Sequence, residues 1–174
     1  MNYLMVLKID VKANRGNTKG LFLVVFFRIS SYFTSFGFLR LLGFPVRMAY
    51  RIIVRWILGI DISDKTSIGA GLRIYHGQGL VVNENVIIGK NCVLRQNTTI
   101  GTARDFERSP VIGDNVNIGA NAVVIGDITV GSNSVIGAGS VVTKSVPENS
   151  VLVGNPGKVL KVSRNLSDVK IIIS

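Results

Sequence analysis

A single cysteine, Cys92, excludes any disulfide within the chain and any zinc site built on clustered thiolates. A single histidine, His76, excludes the three-imidazole metal site of a carbonic anhydrase, and no metal is expected. Long apolar runs are missing too. The stretch 20–27 is far shorter than the roughly 20 residues that span a bilayer. Lysines precede it as in a secretory signal, but no small-residue cleavage site follows. Acids are scarce, ten against twenty Lys/Arg, for a net charge of +10. That surplus is uneven: residues 1–58 hold nine Lys/Arg with Asp10 as their sole acid, a surplus of eight, which leaves +2 for the other 116 residues. A basic stripe along the body of the chain, as a nucleic-acid binder would present, is thereby excluded. Any anionic partner meets the N-terminal segment instead. Cys92 falls where an inward strand residue is expected and reads as a buried, inert thiol, in keeping with a reducing, cytoplasmic setting.

What the chain does have is a repeat. An aliphatic residue recurs every sixth position at Ile112, Ile118, Val124, Val130, Ile136 and Val142. The register runs back through Phe106, Ile100, Leu94, Ile88 and Val82. A helix with this period would set successive aliphatics about 240° apart and gather no stripe. Short strands each ended by a glycine-bearing corner can use it, Gly113, Gly119, Gly131 and Gly137 following the aliphatics, with about six residues on each side of a triangular prism and the aliphatic pointing inward. The positions four residues later, Val116, Ala122, Ile128, Ser134 and Ser140, are small or β-branched, as a second inward position requires. The fold class is mainly β, a left-handed parallel β-helix with a short N-terminal α-helical segment.

The organisation expected is a helical segment over 1–58, the β-helix over 59–146 and a tail over 147–174. Within the first part, 4–9 reads as a loop or short strand and 20–34 as a helix. Residues 36–59 read as one or two helices broken at Gly43-Phe44-Pro45. Arg47, Arg51 and Arg55 recur at i, i+4 and i+8 beside Ile52, Ile53, Trp56, Ile57 and Leu58. Two readings stay open for this segment: a cap on the end of the prism with its arginines in water, or a peripheral contact with the anionic inner face of a membrane. Further on, 103–109 reads as an extended loop, and 146–150 turns the chain out of the β-helix.

The period slips once among the early coils. Ile62, Ile68 and Ile74 keep it, but Ile74 to Val82 is eight residues, and the two extra fall on Tyr75-His76-Gly77-Gln78-Gly79. Insertions in a solenoid emerge as loops on one face, often the binding face. This one carries the protein's only histidine. Asp61 lies fifteen residues earlier, close to one coil, so neighbouring coils bring the two near each other. A carboxylate on one imidazole nitrogen fixes the tautomer and leaves the other to accept a proton.

Several segments together resemble the serine O-acetyltransferase branch of the hexapeptide-repeat acyltransferases, over residues 59–162. They are Gly59-Ile60-Asp61-Ile62, Ile68-Gly69, Ile74-Tyr75-His76, Gly79-Leu80-Val81-Val82, Thr99-Ile100-Gly101-Thr102, Ile118-Gly119-Ala120, Ile136-Gly137-Ala138-Gly139-Ser140 and Gly154-Asn155-Pro156. The short N-terminal segment and the Tyr75-His76-Gly77 loop are most similar to acetyltransferases of bacterial exopolysaccharide clusters, of the colanic acid type. The resemblance implies that His76 is a general base and Asp61 its orienting partner. It implies acetyl-CoA as donor, lying in a groove between the subunits of a homotrimer. Gly101 and Thr102 would then sit near the thioester, Ala120 and Ala138 along the pantetheine arm, and Lys158, Lys161 or Arg164 at the CoA phosphates. One position departs from the branch. Where the serine enzymes carry a second histidine before Pro-x-Ile, this chain has Ser109, ahead of Pro110-Val111-Ile112. The acceptor expected is therefore a saccharide hydroxyl of a capsule, exopolysaccharide or lipid-linked precursor. Serine or another small molecule is the alternative. A non-enzymatic prism such as an ice binder would need threonine rows, and Thr98, Thr99, Thr102, Thr129 and Thr143 recur at no coil spacing.

Overall fold

Strands of two or three residues recur from residue 61 onward and stack into three parallel sheets, the faces of one prism. They are seen in a computed structural model that describes residues 2–35, 39–105 and 108–162. The first face stacks Asp61–Ile62, Val81–Val82, Thr99–Gly101, Val123–Ile125 and Val141–Val142. On the second lie Ser67–Ile68, Ile87–Ile88, Val111–Ile112 and Thr129–Val130, and on the third Arg73–Tyr75, Val93–Arg95, Asn117–Ile118, Val135–Ile136 and Ser150–Val153. Register pairs the period-six aliphatics with one another: Ile62 with Val82, Val82 with Ile100, Ile100 with Val124, Val124 with Val142. All of them are buried, as are the second inward positions Val116, Ala122, Ser134 and Ser140. Each fully buried Val, Leu or Ile contributes about 1.5–3 kcal/mol, so the core is a line of such residues along the prism axis. Cys92 is among them; its thiol donates to the Gly113 carbonyl at 3.1 Å, and burial pushes its pKa up to about 11.

Six asparagines, at 91, 97, 115, 121, 133 and 149, turn corners with φ between 54° and 60°, the left-handed region that asparagine tolerates better than other side chains. Four of them form a ladder up one edge, where the Nδ2 of Asn91, Asn115 and Asn133 donates to the Oδ1 of Asn115, Asn133 and Asn149 at 3.1, 2.9 and 3.1 Å.

Ile88 pairs directly with Ile112, so the chain between Ile100 and Ile112 makes one excursion rather than an extra side. The aliphatic count at Phe106 falls on a residue outside those described. The chain does not leave the prism at 146–150 as its sequence suggests. Val146 bridges to Val130, Ser150–Val153 extends the third face, and Lys158–Val162 folds back antiparallel on it.

At the other end the N-terminal segment closes the prism. Residues 4–9, expected as loop or strand, lie in helix α1 (Tyr3–Ala13), which Asn2 caps by accepting from the Leu4 amide at 3.1 Å. Helix α2 spans Thr18–Ser35, α3 Leu39–Leu42 and α4 Phe44–Tyr50, the last continued by a π-helical turn, Arg51–Ile57. The first coil has no neighbour below it, so its backbone groups need partners. Side chains of the helices supply them. Asp10 Oδ1 accepts from the amides of Gly71 and Leu72, Arg28 donates to the carbonyls of Ile68 and Gly69, Asn14 and Asn17 donate to those of Leu72 and Ile74, and Tyr50 to that of Ile62. The expected stripe of free arginines is not there. Arg47 is buried against Asp64 at 2.9 Å, and Arg55 pairs with Asp61 at 2.6 Å.

Asp64 Oδ2 accepts from Arg47, Ser30 and Thr34 at 2.9, 2.9 and 3.0 Å. Burial alone would raise its pKa, but these hydrogen bonds and the guanidinium charge outweigh burial and hold it below the usual carboxylate range. A depressed pKa stabilises the fold above the unfolded value, about 3.9, and the gain is lost as pH falls through the folded value. The melting temperature is thus expected to be level from about pH 7 to pH 5 and to fall below about pH 4. Asp64→Asn should melt lower at neutral pH and show a smaller acid-induced drop; an identical acid profile in that variant would contradict this account.

Candidate active site

The two-residue insertion after the first coil forms a tight loop with three left-handed residues in four: His76 (φ 66°), Gly77 (φ 80°) and Gly79 (φ 66°). The Gly77 amide donates to the Tyr75 carbonyl at 2.8 Å, closing a three-residue turn on the histidine. Glycine is favoured at 77 by its φ and by space, since a Cβ there would lie 3.0–3.2 Å from Ile60, Leu23 and Ile74 side-chain atoms, which would have to shift by a few tenths of an ångström. Among the described residues His76 alone adopts positive φ without being Gly or Asn. That conformation costs about 1–2 kcal/mol. Strain of this kind persists where the surrounding structure holds it, and it clusters at functional sites. The result is an exposed imidazole with no hydrogen-bond partner among the described residues.

His76 borders a cavity of about 310 Å³. Ile60 and Gln78 from the coil side, Leu58 at the end of the π-helical turn, and Thr18, Lys19, Phe22 and Leu23 of α2 complete its wall. The helical cap therefore builds half of the pocket, which nothing in the α2 sequence announced.

The strand register sets His76, Gln96, Ala120 and Ala138 at equivalent positions of four successive coils, one column up the corner between the third and first faces. Ala120 and Ala138 thus stand above the histidine; the Gly139 amide donates to the Ala120 carbonyl at 2.8 Å. Gly101 and Thr102 lie at the opposite edge of the first face, in a second cavity of about 500 Å³ that also contains Arg55, Asp61, Asn83 and Glu84. Asp61 and His76 border different cavities, which meet where the consecutive residues Ile60 and Asp61 line one each, and no hydrogen bond joins the carboxylate to the imidazole as the sequence spacing suggested. The Asp61 carboxylate is half exposed and its Oδ1 accepts from Arg55. Ser109 is buried and donates to Asn83 Oδ1 at 3.2 Å, beneath that second cavity. Lys158 is exposed at the start of the last strand. Arg164 lies outside the described residues.

Sequence reasoning missed Arg55 as the partner of Asp61, and it missed Gln96 and Arg95. Counting the twenty-residue step from His76 would have found Gln96. Arg95 sits beside Tyr75 in the register, its guanidinium 5.7 Å from the ring centroid, and donates to Asn117 and to the Ile118 carbonyl. Among the described residues no three His, Cys, Asp or Glu side chains gather closely enough to hold a metal ion.

Comparison with known proteins agrees with the fold. The family described as bacterial transferase hexapeptide (six repeats) matches residues 109–144. The Escherichia coli (strain K12) protein assigned to colanic acid biosynthesis as acetyltransferase WcaB is 35% identical over 155 residues, covering 86% of this chain and 96% of its own length. A serine acetyltransferase of Synechococcus elongatus is 40% identical over 108 residues, 61% of this chain and 44% of its own. Among solved structures, the serine acetyltransferase of Neisseria gonorrhoeae superposes with a TM-score of 0.79 at 29% identity, over 97% of this chain and 69% of its own. That of Brucella abortus in complex with coenzyme A superposes with a TM-score of 0.78 at 27% identity, over 92% and 68%. The solenoid is thus a left-handed β-helix of the hexapeptide type, and the chain belongs to the hexapeptide-repeat acyltransferases, alongside WcaB and the serine acetyltransferases, as an acetyltransferase whose donor is acetyl-CoA.

Proposed function

We propose that the protein transfers acetyl from acetyl-CoA to a hydroxyl of a saccharide, with His76 as general base. One observation carries the choice of acceptor: among the described residues the cavity beside His76 has mostly apolar walls, one lysine, Lys19, and no acidic side chain. An amino acid acceptor carries an ammonium group that would lie there without a carboxylate, whereas a sugar hydroxyl needs only the base. The assignment of WcaB to colanic acid biosynthesis points the same way. L-serine is the runner-up, on the strength of the serine acetyltransferase relatives.

In the proposed reaction the imidazole accepts the proton of the acceptor hydroxyl as its oxygen attacks the thioester carbonyl. The tetrahedral intermediate collapses with loss of the CoA thiolate, and the imidazolium returns the proton to the sulfur. Asp61 would orient the ring through Oδ2, the oxygen that Arg55 leaves unengaged. Backbone amides at Gly101 and Thr102 would face the thioester, small Ala120 and Ala138 would let the pantetheine arm pass, and Lys158 would meet CoA phosphates. The two alanines and the Gly101-Thr102 pair occupy opposite edges of one face. A single donor molecule meets both sets only in a groove shared by two protomers, which supports the trimer. A buried thiol and an acetyl-CoA donor suit the cytoplasm. Contact with the inner membrane face would rest on the exposed row Phe44, Met48, Ile52 and Trp56 rather than on the arginines. Among the described residues no helix is long and apolar enough to cross a membrane.

CoA thiol release, followed with a panel of free and lipid-linked saccharides and with L-serine, tests the proposal. Turnover is expected with a saccharide and not with L-serine; turnover with L-serine alone would overturn it.

A further inference from the structure

Helix α2 is apolar on two faces. Leu23, Val24 and Phe27 face the end of the β-helix and are at most 4% exposed. Thr18, Leu21, Phe22, Val25, Phe26 and Ile29 recur at i, i+3, i+4, i+7, i+8 and i+11, a second stripe on one side of the helix. With Ile53 these six line an open groove of about 700 Å³, within the range of small-molecule sites and almost wholly apolar in its lining. Phe22 is 50% and Ile29 40% exposed. The groove adjoins the His76 cavity, for Thr18 and Phe22 belong to the walls of both. Lys19 borders the His76 cavity near that junction and enters no ion pair among the described residues.

The order along α2 is therefore base, cation, apolar trough. From Thr18 to Ile29 the helix rises about 16 Å, room for roughly three isoprene units laid end to end. We propose, resting on the acetyltransferase reading above, that the acceptor is a lipid-linked saccharide. Its hydrocarbon chain lies in the α2 groove, its phosphate meets Lys19 and its sugar reaches His76. A soluble saccharide or serine would leave this second stripe in water.

Farnesyl phosphate, which carries the chain and the charge but no sugar, tests the groove apart from catalysis. Equilibrium dialysis of the full-length protein with tritiated farnesyl phosphate is expected to show saturable binding of one molecule per chain. Ile29→Asp, at the exposed rim, should weaken it by about tenfold or more, the equivalent of roughly two buried methylene groups. Val25→Asp should do the same, and thermal melts will report whether either variant is folded. Farnesol should bind the native protein more weakly than farnesyl phosphate, and Lys19→Gln should abolish that difference. Non-saturable uptake, or equal binding by native protein and both folded variants, would overturn the proposal. So would loss of self-association in Ile29→Asp together with no binding by the native protein, since a second copy would then fill the groove. His76→Ala should bind as the native protein does. Retained binding with no acetyl transfer to any saccharide would sink the enzymatic proposal and spare the groove, and the reverse result would do the opposite.

Discussion

Replacing His76 by asparagine should lower the rate of acetyl transfer by about 10²- to 10⁴-fold, the usual worth of a positioned general base, with the melting temperature unchanged. Asparagine is the informative choice, because the fold uses it at six other left-handed corners. It can hold φ near 66° at the turn while removing the proton acceptor. Alanine removes the base too but adds backbone strain at that φ, so agreement between the two variants would assign the loss to the imidazole. Asp61→Asn should cost less than either, since in the proposed mechanism the carboxylate acts only through the ring and it is partly engaged by Arg55. The measurement is CoA release at saturating acetyl-CoA, with circular dichroism as the control for folding. Native-like turnover by a folded His76→Asn would end the case for general-base catalysis at this position.

The second large effect concerns the end of the prism. Asp10 is wholly buried; its Oδ2 accepts from Arg28 Nε at 2.7 Å and its Oδ1 from the amides of Gly71 and Leu72 at 2.6 and 3.2 Å. Asp10→Ala leaves a buried guanidinium without its counter-charge and two backbone donors without their acceptor at once. Removing one partner of a buried pair costs about 3–5 kcal/mol. For a domain of this size that is a fall in melting temperature on the order of 10 °C. Asp10→Asn keeps the shape and should lie between the two. A melting temperature within about 2 °C of native in the alanine variant, a change worth under 1 kcal/mol, would show that the pair does not hold the cap. Activity should fall with stability here, since α1 and α2 carry the contacts that seat Thr18, Lys19 and Phe22 over the His76 cavity. Removing residues 1–35 would for the same reason uncover the first coil rather than merely detach a peripheral element.

How much of this was legible in the chain differs from part to part. The six-residue period is local and strict, and every inward aliphatic packs on the equivalent residue of the next coil. Strands, faces and the phase slip at Tyr75–Gly79 therefore follow from spacing alone. The corners do not: Gly113, Gly119, Gly131 and Gly137 follow the aliphatics, yet the left-handed φ is held by the asparagines at 91, 97, 115, 121, 133 and 149. Helix α1 was not legible. Its own pattern is weak, and its decisive residue, Asp10, acts on Gly71 and Leu72, sixty-one and sixty-two positions away.

By itself the sequence determined a prism with one imidazole at its single early slip, because each coil repeats the same few-residue instruction. Only the tertiary structure decided where the arginines went, that α2 supplies half the wall beside His76, and that Asp61 turns to Arg55 in a neighbouring cavity. Those outcomes depend on buried charges and unpaired backbone groups finding partners across long separations, and no periodicity encodes such a search.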